Sequence, residues 1–119
     1  MNIDALEKML AKGNDSAMLR FGLGKAYLDD DKPDTAITHL QHCVQLDPDY
    51  SAAWNLLGKA YLKTGDKIAA ETAWQSGLES ALRKGDKQTE KEITVFLKKL
   101  KKLILNNQTK VRTKSRLKT

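Results

Sequence analysis

The chain has 119 residues, of which 40% are hydrophobic and 30% charged, and it contains one cysteine, Cys43. This length suits one domain with its own core, and no apolar run is long enough to cross a membrane. A single cysteine excludes an internal disulfide and favours a reducing compartment. Because the opening Met-Asn-Ile-Asp also lacks the regions of a secretory signal, we expect a cytoplasmic protein.

The net charge of +6 is unevenly distributed along the chain. Residues 1–97 contain 12 Lys and Arg against 15 Asp and Glu, a balance of −3. Residues 98–119 contain nine Lys and Arg and no acid, a balance of +9. The sequence therefore predicts a mildly acidic body followed by a strongly basic end.

Apolar periodicity predicts six helices in chain order. The first covers residues 3–12 and stops at Gly13, a residue that often ends helices. Two helix pairs follow, near residues 16–30 and 33–46 and then near 51–64 and 67–84. The last helix runs from about 87 to 105, and its apolar residues recur on one face: Ile93, Phe96, Leu97, Leu100 and Ile104.

The two helix pairs repeat one pattern at a period of 34 residues, with Leu-Gly-Lys-Ala-Tyr-Leu beginning at Leu23 and again at Leu57. Glycine inside a helix costs about 1 kcal/mol relative to alanine, so Gly24 and Gly58 require a packing reason. We expect the two helices of each repeat to approach closely there, with Ala36 and Ala70 as the small residues facing the glycines. Trp74 is predicted to be buried against the final helix.

This pattern resembles the tetratricopeptide repeat family, whose motif is W-x2-L-G-x2-Y, then A-x3-F, then P. The second copy follows the motif from Trp54 to Trp74, with Trp in place of Phe. The first copy has Arg20 in place of the opening Trp and keeps the closing proline, Pro48. Each such repeat buries one face on its neighbour.

The resemblance implies an all-α fold, a tetratricopeptide-like α-solenoid of two helix-turn-helix repeats. Repeat one would cover residues 17–50 and repeat two residues 51–84. An N-terminal helix and a C-terminal capping helix at about 87–105 would flank them within a single domain, residues 1–105. The basic tail 106–119 is predicted to be disordered, since it has few apolar residues and no acid.

No motif predicts catalysis, and no cofactor site is expected. The sequence has no glycine-rich phosphate loop, and no nucleophile stands in a recognisable pattern with a base. His39, His42 and Cys43 could share one side of a helix, but we expect Cys43 to point inward and both histidines outward. A zinc site also needs a fourth ligand, so no metal site is predicted.

In tetratricopeptide repeat proteins, the first helices of the repeats line a concave groove that holds a segment of a partner. The resemblance therefore implies a noncatalytic adaptor or scaffold whose partner is another protein or peptide. Such a groove suits a segment with apolar side chains and an acidic group. By position in the repeat, the groove residues are Met18, Phe21, Lys25, Leu28, Ala52, Asn55, Lys59, Leu62 and Lys63.

A second interpretation uses the basic tail, which could hold nucleic acid or an anionic surface by its charge. No aromatic residue lies among these bases, so such binding would not read sequence, and nucleic acid is less favoured than a protein partner. Pairing of two copies through leftover apolar surface is a further alternative. The tail bases are Lys110, Arg112, Lys114, Arg116 and Lys118.

Overall fold

The computed structural model describes residues 2–117, with side chains through Asn106, and this part of the chain contains six helices and no strand. Successive helices pack as neighbours from α1 to α6, and α4 also touches α2 and α6. The helices are α1 (Ile3–Ala11), α2 (Ala17–Asp29), α3 (Pro33–Leu46), α4 (Ser51–Lys63), α5 (Lys67–Lys84) and α6 (Lys87–Leu117). The all-α, solenoid-like fold predicted from the repeat is confirmed.

Over the described residues, no helix is both long and apolar enough to span a membrane. The cytoplasmic location stays a prediction.

Side-chain caps and glycines set the ends of several helices. Asn2, Ser16 and Asp66 each accept a hydrogen bond from a backbone N–H in the first turn of the helix that follows. Such caps satisfy N–H groups that have no partner inside the helix. At the other end of α5, Gly85 has a φ of 71°, a left-handed conformation that glycine adopts without strain.

Inside each repeat, a large side chain of the second helix lies directly over the glycine of the first. A Cβ added to Gly24 would come within 2.4 Å of Leu40, and one added to Gly58 within 2.3 Å of the Trp74 ring. The close approach predicted at the glycines is therefore present, and the atoms nearest to them belong to Leu40 and Trp74; Ala36 and Ala70, expected there, are both fully buried. Because glycine has no side chain, the large side chains of Leu40 and Trp74 can pack directly against the helix backbone.

The core consists of three clusters arranged along the helices. The central cluster lies within and between the two repeats and includes Leu40, Cys43 and Leu57. At one end, Leu6 of α1 packs on Leu19 and Leu23. At the other end, the buried members contributed by α5 and α6 are Ala70, Trp74, Ile93, Leu97 and Leu100. Trp74 is only 1% exposed, which confirms that it is buried against the final helix.

The structure differs from the sequence-based prediction at the last helix. The helix was expected to end near residue 105 and to be followed by a disordered tail, whereas α6 continues through Leu117. The segment from residue 87 onward contains no Gly and no Pro, the two residues that most strongly end helices. Low apolar content therefore did not indicate where this helix stops.

Candidate functional site

The predicted groove residues lie on α2 and α4, the first helices of the two repeats. Helix α2 contacts α4, and α4 contacts α6. We call the surface formed by these three neighbouring helices the first-helix face. The nine predicted residues do not all reach this surface, and they fall into three groups with different surroundings.

The apolar residues of α2 divide between surface and core. Met18 is 76% exposed, so nearly the whole thioether side chain is in solvent. Phe21 was expected to be exposed but is half-buried, because its ring stacks on Tyr50 with centroids 4.9 Å apart. Leu28 was expected at the surface and is instead buried in the central cluster. Met18 is thus the most exposed apolar side chain of α2.

In repeat two, Asn55 is a structural residue rather than an exposed contact. The Trp74 Nε1 donates to both the backbone oxygen and the side-chain Oδ1 of Asn55, each 3.1 Å away. The Asn55 amide in turn donates to the Glu92 carboxylate at 3.0 Å. Asn55 is 5% exposed because it joins α4 to α5 and α6, which corrects its predicted place in an open groove. The smaller Ala52 is half-buried, and Leu62 is 38% exposed.

The three lysines of the predicted groove differ in their electrostatic partners. Lys25 pairs with Asp29 and Lys63 with Asp31, each at 3.6 Å and each near the surface. The Lys59 ammonium lies 5.1 Å from the centroid of the Phe96 ring, a cation–π arrangement. Among the residues whose side chains are described, no carboxylate forms a salt bridge with Lys59.

Sequence reasoning missed that Tyr50 and Phe96 shape this face. Phe96 was assigned to the docked side of the last helix, and it does stack on Trp74 with centroids 5.2 Å apart. Phe96 is only partly buried, and the Lys59 ammonium lies over its ring. Tyr50 precedes α4 and belongs to no motif position that was considered. Its only sequence signal was an aromatic residue beside the repeat boundary.

A polar network joins α1 to the first repeat beside this face. The Tyr27 hydroxyl donates to Glu7 at 2.8 Å, and Glu7 also lies 3.4 Å from Nε2 of His39. On the other side of the imidazole, the Arg20 guanidinium lies 3.1 Å from Nδ1. Since arginine can only donate, Nδ1 is the acceptor and the proton of neutral His39 is on Nε2. Arg20 is itself held by Asp15 at 2.8 and 3.0 Å.

His39 is therefore buried, at 8% exposure, and the expectation that it points outward was wrong. Its ring also stacks on Tyr27. Burial lowers the pKa of His39; Arg20 acts in the same direction, and Glu7 acts against it. His42 is exposed and Cys43 is buried, as predicted.

These groups do not form a catalytic or metal-binding arrangement. Burial raises the pKa of the Cys43 thiol to about 12, so it stays protonated and is a weak nucleophile and metal ligand. Over the described residues, no three His, Cys, Asp or Glu side chains could hold a metal ion together. The predicted tail residues from Lys110 to Lys118 lie outside the part of the chain whose side chains are described.

Comparison with known proteins places the fold among helical repeats. A family model described as tetratricopeptide repeat matches residues 27–82. A TPR repeat-containing protein of Pseudomonas aeruginosa is 60% identical over 100 residues, covering 84% of this chain and 95% of that protein.

Solved structures give the same result. A protein of Bordetella parapertussis with a solution structure is 44% identical, with a TM-score of 0.75 over 86% of this chain and 89% of that one. The Yersinia enterocolitica type III secretion translocator chaperone SycD shares the fold at 16% identity, with a TM-score of 0.79 over 83% of this chain and 69% of that one. The 34-residue pattern, the glycine contacts and these matches together show that the chain belongs to the tetratricopeptide repeat family.

Proposed function

We propose that this protein is a noncatalytic interaction module that binds a segment of a partner protein along the first-helix face. Tetratricopeptide folds generally mediate protein–protein contacts, and members of the family are generally noncatalytic. The observation that supports a site on this face is the pairing of an exposed apolar residue, Met18, with a cation, Lys59. Among the residues with described side chains, Lys59 forms no salt bridge with a carboxylate.

The spacing of these two groups indicates the chemistry of the segment. Met18 lies in the first turn of α2, and Lys59 lies about two turns along the neighbouring helix α4. With helix axes 8–10 Å apart, the two positions are separated by roughly 14 Å. An extended segment covers that distance in about four residues. We therefore expect a large apolar side chain at Met18 and an acidic group about four residues away at Lys59.

Phe21, three residues after Met18 on α2, adds an aromatic surface beside it. Aromatic residues often account for a large share of interface energy, and a nearby charge sets orientation and association rate. Because Phe21 stacks on Tyr50, replacing it would disturb the fold as well as the surface. Met18 is thus the cleaner probe of binding, although Phe21→Ala is also expected to weaken it.

The proposal is tested by capturing partners on the full chain and then measuring each partner's affinity for matched variants by calorimetry. Met18→Ala and Lys59→Gln should each weaken binding of a true groove partner by about 1–3 kcal/mol. Ile68→Ala is the control for Met18, because Ile68 is 79% exposed and lies on α5 rather than on the first-helix face. Lys84→Gln, an exposed lysine on α5, is the control for Lys59.

The result expected is loss of affinity in the first two variants and no change in the two controls. Thermal unfolding of all four variants must stay close to that of the parent chain. A partner whose affinity is unchanged by Met18→Ala and Lys59→Gln together binds elsewhere, and the first-helix face would then not be its site.

A further inference from the structure

The second helices of the two repeats, α3 and α5, leave an open groove between them. Both helices pack on α4, and in the described part of the chain they do not pack on each other. The groove has a volume of about 550 Å³. Three α4 residues form its floor, and its walls come from α3 and α5. The floor consists of Trp54, Leu57 and Tyr61, and the walls include Gln45, Ala69 and Thr72.

The composition of this groove suits apolar occupants. Among the described residues, no charged side chain lines it, although 30% of the chain is charged. The polar atoms of its aromatic residues already have partners within the chain. Nε1 of Trp54 donates to the Pro48 carbonyl at 2.8 Å, and the Tyr61 hydroxyl accepts from Nε2 of Gln41 at 2.6 Å. Aromatic residues and a lack of charge are typical of the buried centre of a protein interface.

An exposed isoleucine lies at the edge of the same groove. Ile68 is 79% exposed, more than any other large hydrophobic side chain whose burial is described. It directly precedes Ala69 and lies one helical turn before Thr72, whose hydroxyl donates to the Ile68 carbonyl. Both of these neighbours line the groove. Ile68 belongs to none of the three core clusters, so the core gives no reason for an isoleucine at this position.

From this arrangement, we infer that two copies of the chain pair about a two-fold axis, with Ile68 of each copy packed in the groove of the other. In a two-fold interface the same patch meets itself, so a projecting side chain and a groove side by side on one surface complement each other in both directions. An unrelated partner would account for the groove alone, whereas a second copy accounts for the groove and for Ile68. The contact also buries no charge, so it avoids the cost of removing ions from water.

This surface is separate from the first-helix face. Tyr61 in the groove floor and Lys59 on the first-helix face are two residues apart on α4, so they lie about 160° apart around that helix. Pairing through the groove therefore leaves Met18 and Lys59 open to another protein. Ile68→Ala should weaken the pairing without changing affinity at the first-helix face. The two proposals can thus fail independently.

The test is sedimentation equilibrium of the full chain at concentrations from about 10 µM to about 1 mM, where pairing through a small interface is populated. The parent chain should shift from monomer to dimer over this range. Its dissociation constant should change little between about 50 and 500 mM salt, because no charged side chain among the described residues lines the groove.

Two variants with matched controls test the contact itself. Ile68→Ala should raise the dissociation constant about tenfold, since a two-fold interface contains each residue twice. Leu82→Ala is its control, because Leu82 is 55% exposed and lies about 21 Å farther along α5. Gln45→Glu places a charge in the groove wall at nearly constant size and should also weaken pairing. Gln88→Glu, at an exposed position of α6, is the control for that charge.

Several outcomes would overturn the inference. A chain that stays monomeric at about 1 mM does not pair in this way. Equal weakening by Ile68→Ala and Leu82→Ala would indicate nonspecific apolar association. An effect of Ile68→Ala without one of Gln45→Glu would place the isoleucine outside the groove. Weakening by Met18→Ala, or a steep loss with salt, would move the contact to the first-helix face or to charged surface. Thermal unfolding of each variant should match the parent chain, since all four substituted positions are exposed.

Discussion

The two ends of this short solenoid are attached to the repeats by different kinds of contact. At the first end, Leu6 of α1 packs on two leucines, and a network through Glu7, His39 and Arg20 supplements this small apolar contact. At the second end, α6 buries Ile93, Leu97 and Leu100 around Trp74. Charge and hydrogen bonding therefore contribute more to the first attachment, whereas packed apolar area contributes more to the second.

This difference shows how two copies of one motif were adapted to different neighbours. Leu40 and Trp74 occupy equivalent positions, 34 residues apart, and each fills the space over the glycine of its own repeat. The larger Trp74 also reaches α6 and uses its N–H to bond Asn55. We therefore expect perturbations at the second end to cost mainly packing energy and those at the first end to depend on pH.

The largest expected effect is that of Trp74→Ala, which should lower the free energy of unfolding by about 3–5 kcal/mol. The change removes the ring on which both α4 and α6 pack and takes away the N–H that the buried side-chain Oδ1 of Asn55 accepts. Urea denaturation followed by circular dichroism measures the loss. Trp54→Ala is the control, since Trp54 is half-buried and should cost less. Equal losses of stability in the two variants would contradict the prediction that Trp74 contributes more to the core than Trp54.

An intermediate effect is expected from alanine at the two repeat glycines. Gly58→Ala should destabilise by about 1–3 kcal/mol, because the new methyl group would overlap a tryptophan ring that is stacked and hydrogen-bonded. Gly24→Ala should cost less, since the Leu40 side chain can change its rotamer and alanine favours the helix by about 1 kcal/mol. Thermal unfolding of both variants shows which substitution causes the larger loss of stability. A larger loss at Gly24 would show that Leu40 is the more rigid neighbour.

The smallest effect concerns pH at the first end. The pKa of His39 is lowered in the folded chain, so the unfolded chain takes up its proton first as the pH falls. The stability associated with neutral His39 is complete above its unfolded pKa of about 6.5 and decreases as the pH falls below that value. Urea denaturation between about pH 7.5 and pH 5.5 should show this decrease.

Matched histidine variants distinguish the contribution of His39 to the pH dependence of stability from the contributions of other groups. His39→Gln should flatten the decrease in stability, whereas His42→Gln should leave it unchanged because His42 is exposed. The pKa values of Asp15 and Asp86 are lowered by hydrogen bonds, so their contributions are lost only at more acidic pH. A slope between pH 7.5 and 5.5 that survives His39→Gln would exclude this histidine as its origin.

Repeat spacing and apolar periodicity were enough to predict the helices and their pairing. The first five helices start and end within one residue of the predicted bounds, because Gly, Pro and capping residues mark those ends locally. The burial of Trp74 also followed from the repeat register. These features depend on interactions between residues that are close in the sequence, so they can be predicted from the sequence alone.

Tertiary contacts decided the surroundings of the candidate binding residues. Asn55 and Leu28 have positions typical of a groove, yet both are buried, since the neighbouring α6 and the central cluster cover them. His39 points inward only because Glu7, Arg20 and Tyr27 meet around it from two other helices. A periodic pattern specifies which side of a helix a residue occupies, whereas the side chains contributed by other helices determine whether that side is open.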